Sequence, residues 1–396
     1  MKRTVLRDPA RRRLLRYSLA AAVSGAWPAL TIAGAGRPDG KRFALVILRG
    51  GMDGLGAVPA PGDPEHAAAR GALAQLGAAP LALDATFALH PHLAHLHDMV
   101  KKGDALVVHA VGVPYRERSH FDAQQLLESG GTRPHQLTTG WLGRALAASG
   151  ARGIALDAAV PLVLRGSDLV DSWAPSLLPD PSPDLLARLE SLYADDAALA
   201  RALERAKGLR DDAGTGVAGS ALGGRRMLAV LARKAGDFLA QPNGPLAAVL
   251  EIGGWDSHAN QTSPNGAFAN QLKALDGALA ALRDGLAGTG NAWARTVVVV
   301  ATEFGREVAM NGTRGTDHGS GGAAFVLGGA LKGGGVIADW PGLGKRDRFE
   351  GRDLRVTTDL RALLKGVLAD HLRIAPSALE RDVFPDSASV KPLRLV

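Results

Sequence analysis

An aspartate and a histidine two residues apart, Asp256 and His258, follow an apolar run that ends in Gly253-Gly254. A carboxylate and an imidazole within reach of one cation suit Zn²⁺ or Mn²⁺. The alternative is an Asp/His pair that only forms hydrogen bonds within its own loop. Among the short motifs of this chain, this pair is the most specific indication of a metal site.

A second carboxylate and a second histidine follow another apolar run. Thr302-Glu303-Phe304-Gly305-Arg306 closes that run, and Thr316-Asp317-His318-Gly319 follows after a glycine-containing loop. Glu303 and His318 are therefore candidate metal ligands, and Arg306 is a candidate clamp for an oxyanion. A surface ion pair between Glu303 and Arg306 is the alternative, but it does not explain why an Asp/His pairing recurs.

A serine stands where a helix is expected to begin, in Arg116-Glu117-Arg118-Ser119-His120. The positive end of a helix dipole and the neighbouring guanidinium groups favour an anion at this position, or a nucleophile that attacks one. Ser119 is the candidate nucleophile and Arg118 a candidate oxyanion clamp. An ordinary helix-capping serine is the alternative.

One further carboxylate, Asp53, follows the glycines Gly50 and Gly51 after the first apolar run. Glycines let the backbone turn sharply around an exposed carboxylate. Asp53 is thus another candidate metal ligand, with a solvated aspartate in a β-turn as the alternative.

These residues need a scaffold that brings the ends of several strands together. Short β-rich runs alternate with longer segments of helical period, which predicts an α/β fold with a mainly parallel central sheet and helices on both faces. Ligands of such sheets bind beyond the carboxyl ends of the strands. The expected strands are 43–48, 105–111, 161–164, 247–252, 296–301 and 324–327, and the expected helices are 93–102, 121–128, 227–239, 268–286 and 359–372.

Residues 170–224 differ in composition from the rest of the chain. They are first rich in proline, then rich in Ala, Leu and Arg, and finally loose and rich in glycine. We expect a helical insertion or cap on the sheet here, within an α/β domain that spans residues 36–396.

The first 35 residues have the composition of an export signal. A basic segment with Arg11-Arg12-Arg13 precedes the mildly apolar run 17–32 and the small residues Ala33-Gly34-Ala35, as in a twin-arginine signal. Polar residues and Pro28 interrupt the apolar run, so a stable membrane anchor is not expected. The sequence predicts export to the periplasm, with the twin-arginine translocase as the transient partner.

The charge of the chain lies mostly in this leader. Residues 1–35 hold seven basic side chains and one acidic side chain, which leaves +1 of the formal net charge of +7 for the remainder. A nearly neutral domain gives no support for nucleic-acid binding. The chain has no cysteine, so disulfides and thiolate ligands are excluded.

Taken together, the motifs resemble the exported bacterial family called DUF1501, a branch of the alkaline phosphatase and sulfatase superfamily. The resemblance covers about residues 42–372. It is carried by Leu48-Arg49-Gly50-Gly51-Met52-Asp53-Gly54, Ser119-His120-Phe121, Gly140-Trp141-Leu142, Gly253-Gly254-Trp255-Asp256-Ser257-His258, Thr302-Glu303-Phe304-Gly305-Arg306 and Gly315-Thr316-Asp317-His318-Gly319.

The resemblance implies a role for each candidate residue. Ser119 matches the nucleophile; Asp256, His258 and His318 match the ligands of the first metal, and Asp53 and Glu303 those of the second. Glu251 lies where some members keep an extra carboxylate ligand. Two features depart from the superfamily pattern: the first pair is Asp-x-His instead of Asp-x-x-x-His, and Phe304 replaces an expected histidine. One or two divalent ions are therefore expected, Zn²⁺ or Mn²⁺, with Mg²⁺ or Ca²⁺ as alternatives.

The expected function is that of a metal-dependent hydrolase acting on a small-molecule or glycan ester. Phosphate esters rank above sulfate esters, because the formylglycine route of sulfatases needs a Cys or Ser followed by x-Pro-x-Arg, which this chain lacks. The competing hypothesis is a non-catalytic exported protein that keeps the fold and a metal for binding or structure.

Overall fold

The structure, a computed structural model, describes residues 40–176, 180–213 and 224–395. The expected signal at residues 1–35 lies outside these ranges. Eleven strands occur within them: β1 (Arg42–Leu48), β2 (Leu81–Ala82), β3 (Ala88–Leu89), β4 (Ala105–Gly112), β5 (Gly153–Ala155), β6 (Val170–Ser172), β7 (Ala247–Ile252), β8 (Thr296–Thr302), β9 (Gly322–Leu327), β10 (Gly335–Ile337) and β11 (Thr358–Asp359).

Helices alternate with these strands along the chain. The α-helices of the described ranges are α1 (Gly54–Ala57), α2 (His66–Arg70), α3 (Ala94–Lys101), α4 (His120–Ser129), α5 (Trp141–Ser149), α6 (Pro183–Tyr193), α7 (Ala197–Ala213), α8 (Gly224–Ala240), α9 (Ala267–Ala287), α10 (Leu360–Asp370) and α11 (Pro376–Ala378). Short 3₁₀ segments cover Gly71–Ala74, Leu162–Leu164 and Thr289–Arg295, and a π-helical turn covers Leu379–Val383. None of the helices described is long and apolar enough to cross a membrane.

Nine of the strands form one sheet in the order β10-β4-β9-β8-β1-β7-β5-β6, with β11 paired to β4. All neighbours pair in parallel except β9, which runs antiparallel between β4 and β8. The expected mainly parallel sheet is confirmed.

Both faces of the sheet are buried, as the uninterrupted apolar sequence of β1 requires. Ala44, Val46 and Leu48 join a core shared with α3, α8 and α9. Their neighbours Phe43, Leu45 and Ile47 point the other way, into a core shared with α4, α5 and α10, because successive strand residues face opposite sides. Helices therefore cover both faces, as expected from the sequence.

The register of the central strands places their carboxyl ends level with one another. Leu48 of β1 pairs with Ile252 of β7 on one side and with Thr302 of β8 on the other. Because β9 runs antiparallel to β8, the long loop 303–321 begins and ends at this same edge. Segments that are distant in sequence therefore meet beyond Leu48.

The prediction of a strand at Pro161–Leu164 is wrong, because Leu162–Leu164 forms a 3₁₀ segment. Pro161 has no N–H group to donate to a neighbouring strand. The backbone instead turns so that the Leu164 N–H donates to the Pro161 carbonyl at 3.1 Å. The Val163 N–H donates to the carboxylate of Glu128 at 3.0 Å. The sheet takes β5, Gly153–Ala155, at the place beside β7.

The segment 170–224, where a helical insertion is expected, contains β6 and then α6 and α7. Helix α6 buries none of its residues, while Leu209 of α7 is buried. Arg205 of α7 donates to Asp171 of β6 at 2.9 Å, which ties this helix to the edge of the sheet.

Candidate metal centre

Three imidazole rings and one carboxylate converge beyond the carboxyl ends of β1, β7 and β8. The Nε2 atom of His318 lies 3.0 Å from Nε2 of His120 and 3.0 Å from Nε2 of His258. Asp256 completes the group: its Oδ1 lies 3.0 Å from Nε2 of His258 and 3.2 Å from Nε2 of His318, and its Oδ2 lies 3.6 Å from Nε2 of His120. We call these four residues the histidine centre.

The second nitrogen of each ring has an acceptor of its own. Nδ1 of His120 lies 2.8 Å from Oε1 of Glu303, and Nδ1 of His258 lies 3.0 Å from Oδ1 of Asp317. Nδ1 of His318 lies 3.0 Å from the carbonyl oxygen of Arg118. Each Nδ1 therefore carries the proton, and each Nε2 directs a lone pair toward the centre of the group.

This donor set fits a metal ion. Histidines that bind metals donate their other N–H to a carboxylate or a backbone carbonyl, and all three rings do so. Ligand atoms at about 2.0–2.1 Å from a tetrahedral ion are roughly 3.3 Å apart. The five separations given above, 3.0–3.6 Å, lie around that value. The ligand atoms of His120, Asp256 and His318 all lie within 4.8 Å of one another, and His258 lies beside this group. Without a cation or protons among them, three lone pairs and a carboxylate would repel one another.

His120 is the member of the centre that the sequence analysis missed. The serine before it stands out in the sequence as a candidate nucleophile, while the histidine itself is the first residue of α4. A histidine at a helix start that follows a strand of the same sheet was the available signal. Asp256, His258 and His318 were expected as ligands, and the structure places them together.

Glu303 was also expected to bind a metal, but the structure places it behind His120. Its carboxylate is fully buried and accepts hydrogen bonds from His120, from Gln124 at 3.1 Å and from the Gly50 N–H at 2.8 Å. Burial alone would raise the pKa of Glu303, but these hydrogen bonds outweigh it and hold the pKa below its usual value. Glu303 is thus an ionised partner that orients His120.

The hydrogen bond to Glu303 also sets the basicity of His120. It raises the pKa of His120 above the ordinary value, against the opposing effect of burial. Burial lowers the pKa of His318, and Arg306 and, when it is protonated, His120 act in the same direction. His120 and His318 thus differ in how tightly they hold a proton.

Arg306 holds the carboxylate of the centre. Its side chain is fully buried, and Nη1 donates to Oδ1 of Asp256 at 2.6 Å. Nε donates to the hydroxyl of Thr316 at 3.1 Å, and Nη2 donates to the carbonyl of the same residue. Burial tends to raise the pKa of Asp256, but Arg306 outweighs it, so that the pKa is lowered. Arg306 was expected to clamp an oxyanion; here its guanidinium is committed to Asp256 and Thr316.

Asp53 lies outside the histidine centre. Its buried carboxylate accepts hydrogen bonds from Arg70 and from Gln261, each at 2.5 Å. Gln261 in turn accepts from the hydroxyl of Thr316 at 2.8 Å, which leads to Arg306. Asp53 was expected as a ligand, whereas the structure connects it to the centre only through Gln261, Thr316 and Arg306, and Arg70 balances its charge.

Glu251 is likewise paired with an arginine. Nε and Nη2 of Arg49 donate to its two carboxylate oxygens at 2.6 and 2.5 Å. Arg49 also reaches Glu128 at 2.8 Å. Within the described residues, His120, Asp256 and His318 form the one group of carboxylate and histidine atoms close enough together for a metal, with His258 beside them.

Phe304, which replaces an expected histidine, packs on the centre. Its ring centroid lies 4.7 Å from that of His120 and 5.2 Å from that of His318. Gly51, at φ 65°, leaves room for this ring, because a Cβ there would lie 2.5 Å from Cε2 of Phe304. Phe304 thus fixes the orientation of two imidazoles by contact and excludes water from one side.

Ser119 precedes His120 and is the N-cap residue of α4. Its side chain makes no capping hydrogen bond, so its hydroxyl is not committed to the helix. The Tyr115 hydroxyl donates to Asp122 at 2.9 Å and also lies within hydrogen-bonding reach of Ser119. The expected helix start at this serine is confirmed, and the serine lies next in sequence to a residue of the centre.

The backbone of Arg118 contacts the histidine centre, whereas its side chain pairs with carboxylates outside the centre. Its φ of 61° turns the chain so that its carbonyl meets His318. The guanidinium donates to Asp353 at 2.8 Å and to Glu350 at 2.5 Å. Two carboxylates thus hold the side chain that was expected to clamp an oxyanion.

One side of the histidine centre is open to solvent. The side chains of Asp256 and His258 are 43% and 44% exposed, while Glu303 and Arg306 behind them are fully buried. A ligand can therefore reach the centre past Asp256 and His258.

Several solved structures are similar to this chain. They include the phosphonate monoester hydrolase of Agrobacterium radiobacter, with 13% identity, a TM-score of 0.42 and coverage of 85% of this chain and 74% of that chain. A protein in the alkaline phosphatase superfamily from Vibrio parahaemolyticus has 12% identity, a TM-score of 0.41 and coverage of 83% and 66%. The lipoteichoic acid synthase LtaP from Listeria monocytogenes has 11% identity, a TM-score of 0.38 and coverage of 81% and 74%.

The chain is shorter than other proteins that it matches. It spans 65% of the length of Ps i-CgsB, a protein whose structure is solved alone and in complex with k-i-k-neocarrahexaose, at 12% identity and TM-scores of 0.37 and 0.38.

No curated protein matches the sequence. A family model described as "Protein of unknown function (DUF1501)" matches residues 41–383. Because this match covers most of the sequence and contains every residue of the histidine centre, the chain belongs to the DUF1501 family.

Proposed function

We propose that this protein is a metal-dependent hydrolase that cleaves phosphate esters, with Ser119 as the nucleophile. The observation that carries the proposal is the convergence of three Nε2 atoms and Asp256, with every Nδ1 engaged by an acceptor. Such an arrangement would have little purpose if the rings only stabilised the fold, since their lone pairs face one another.

The residues proposed to hold the ion are His120, Asp256, His258 and His318. Three imidazoles and one carboxylate favour Zn²⁺ or Mn²⁺ over Mg²⁺ or Ca²⁺, which prefer oxygen ligands. A bound divalent ion supplies a Lewis acid that stabilises negative charge on the ester oxygen atoms. In this proposal Asp53 and Glu303 are not ligands, and one ion is held per chain.

The start of α4 provides a place for the ester group. The Ser119 side chain leaves the first-turn N–H groups uncapped, and such groups favour an anion. The Ser119 oxygen would lose its proton and form a bond to phosphorus as the bond from phosphorus to the ester oxygen breaks, and the ester oxygen would take up a proton and leave as the alcohol. Water would then break the bond between phosphorus and the Ser119 oxygen, which releases phosphate and restores the hydroxyl. Sulfate esters are a weaker candidate, because the chain lacks the sequence from which formylglycine is made.

Two arginines support this chemistry in different ways. Arg306 acts as a positioning residue, since its buried guanidinium fixes Asp256. Arg118 acts as a second positioning residue, since its carbonyl oxygen holds Nδ1 of His318 while Asp353 and Glu350 hold its guanidinium.

The direct test is turnover by the purified mature chain. Phosphomonoesters, phosphodiesters, phosphonate monoesters and sulfate esters of one chromogenic alcohol should be compared with Zn²⁺ and Mn²⁺ added separately. We expect metal-dependent release of the alcohol from at least one phosphorus ester, lost in Asp256→Asn. A metal-loaded protein that hydrolyses none of them would favour the alternative of a non-catalytic binding or structural protein.

We further propose that the chain is exported to the periplasm by the twin-arginine translocase. The support is the leader sequence with Arg11 and Arg12. The receptor of that pathway would read the guanidinium pair, which lysine does not reproduce. Arg11→Lys/Arg12→Lys should leave the precursor in the cytoplasm, and normal delivery of this variant to the periplasm would contradict the assignment.

A further inference from the structure

A basic basin lies at the edge of the sheet opposite the histidine centre. It has a volume of about 640 Å³, and its charged lining residues are Lys41, Arg295, Lys332, Asp370, Arg373 and Arg394. Lys41 directly precedes β1 and Arg295 directly precedes β8, so the basin lies at the amino ends of the strands whose carboxyl ends carry the centre. It is therefore separate from the proposed site of hydrolysis.

The cations of the basin come from separate parts of the chain. Besides the residues before β1 and β8, Lys332 follows β9, Arg373 follows α10, and Arg394 lies near the end of the described chain. The fold thus gathers five cations around one carboxylate, Asp370. Because like charges repel, this arrangement costs stability unless an anion compensates it.

Four of these cations have no ion-pair partner in the part of the chain that the structure describes. Arg295, Lys332, Arg373 and Arg394 are exposed, and none of them belongs to the salt bridges found there, although Asp370 lines the same basin. Some other cations of this protein are paired, as in Arg118 with Glu350 and Asp353 or Arg205 with Asp171. The basin is therefore a local excess of positive charge on a domain that is close to neutral.

A buried histidine also lines the basin. His371 is 1% exposed, and its Nε2 donates to the carbonyl of Arg42 at 2.8 Å. Its Nδ1 has no hydrogen-bond partner among the described residues. A buried polar atom without a partner is unusual in a folded protein, and here it occurs in the wall of a basin lined by five cations.

We propose that this basin binds a compact polyanion that carries several phosphate groups. The volume lies in the range of small-molecule sites, about 300–1,000 Å³. Three of the lining cations are arginines, whose forked donors match the oxygens of phosphate. The cations surround a basin instead of following a stripe along the surface, which suits a compact ligand better than an extended polymer.

The test uses inorganic tripolyphosphate and the mature full-length chain in isothermal titration calorimetry. Tripolyphosphate should bind, and the affinity should fall as salt is added. Arg373→Gln/Arg394→Gln should weaken binding by about tenfold or more, the equivalent of at least one charge-assisted hydrogen bond. Lys345→Gln/Arg346→Gln, which removes two exposed cations outside the basin, should bind as wild type does.

Two further measurements separate this site from other anion-binding surfaces. Because tripolyphosphate also ligates metals, binding is repeated in His318→Ala, where it should persist. Loss of binding in His318→Ala with full binding in Arg373→Gln/Arg394→Gln would place the anion at the histidine centre and overturn the proposal. Binding to vesicles of anionic phospholipid but not to tripolyphosphate would also overturn it, because the basin would then be a membrane contact. These results do not depend on whether the protein hydrolyses esters.

Discussion

Nδ1 of His120 lies 2.8 Å from Oε1 of Glu303, a fully buried carboxylate at the end of β8. This hydrogen bond fixes the ring of His120 with Nε2 directed toward His318 and Asp256. Glu303 therefore acts on the histidine centre through the imidazole of His120 and not by direct contact.

Glu303→Gln should weaken metal binding without removing a ligand. A Gln amide in place of the carboxylate gives His120 a weaker acceptor, and loss of such a partner typically costs about 10–100-fold in metal affinity. The measurement is metal titration against a competing chelator. Glu251→Gln is the matched control, since Glu251 also lies at a strand end but pairs with Arg49. Equal affinity of Glu303→Gln and wild type would contradict the role assigned to Glu303.

Ser119→Ala should abolish turnover and leave the fold intact. Removal of a nucleophile lowers turnover by orders of magnitude, whereas the Ser119 side chain makes no capping hydrogen bond whose loss would destabilise α4. Ser182→Ala is the control, because the Ser182 hydroxyl caps α6 by accepting from the Leu185 N–H at 3.2 Å. Its loss should cost about 0.5–2 kcal/mol of stability and no activity. Unchanged kcat in Ser119→Ala would show that the serine is only a helix start.

Asp53→Asn should show whether Asp53 is a structural carboxylate or a metal ligand. The substitution leaves the buried Arg70 without its charged partner, and breaking a buried ion pair typically costs about 3–5 kcal/mol. We expect a lower melting temperature with the metal content per folded chain unchanged. Loss of bound metal from a variant that remains folded would instead return Asp53 to the ligand set.

Acid should destabilise the fold through His109. This residue is buried between the Val58 carbonyl, 3.0 Å from Nε2, and the Ala110 N–H, which donates to Nδ1 at 2.8 Å. Burial lowers the pKa of His109 to about 4. The unfolded chain takes up the proton first, so stability is complete above about pH 6.5 and is lost as the pH falls toward 4.

The size of this effect can be measured by urea unfolding. Between pH 7.5 and pH 5, His109 should account for a loss of about 2 kcal/mol. Over this interval His109→Gln should lose about 2 kcal/mol less stability than wild type, whatever its stability at pH 7.5. An equal loss in both proteins would show that His109 does not carry the effect.

The sequence predicted the scaffold well because its signals are local. The apolar runs that became β1, β4, β7, β8 and β9 are buried on both faces and stand out by composition. Strands β5, β6 and β10 have three residues each, too few to show a period. The run at Pro161 was apolar but could not pair, since its first residue lacks an N–H.

The site was predicted in part, because a motif shows which residues follow a strand but not what they contact. Asp256, His258 and His318 were recognised from their spacing. Arg306 and Arg118 were recognised as cations, but their partners Asp256 and Asp353 are 50 and 235 positions away. His120 was overlooked because its partner Glu303 is 183 positions away. Only the fold shows that this histidine completes the centre.

The most direct test of the histidine centre is elemental analysis of the purified mature protein and of His120→Ala. Wild type should carry one divalent ion per chain, and a chelator should remove it and lower the melting temperature, because an ion bound only to the folded state stabilises that state. His120→Ala should lose most of the ion, whereas His135→Ala, which removes a histidine that is 73% exposed, should keep it. A wild-type protein without metal, or a His120→Ala variant with the full metal content, would contradict the account.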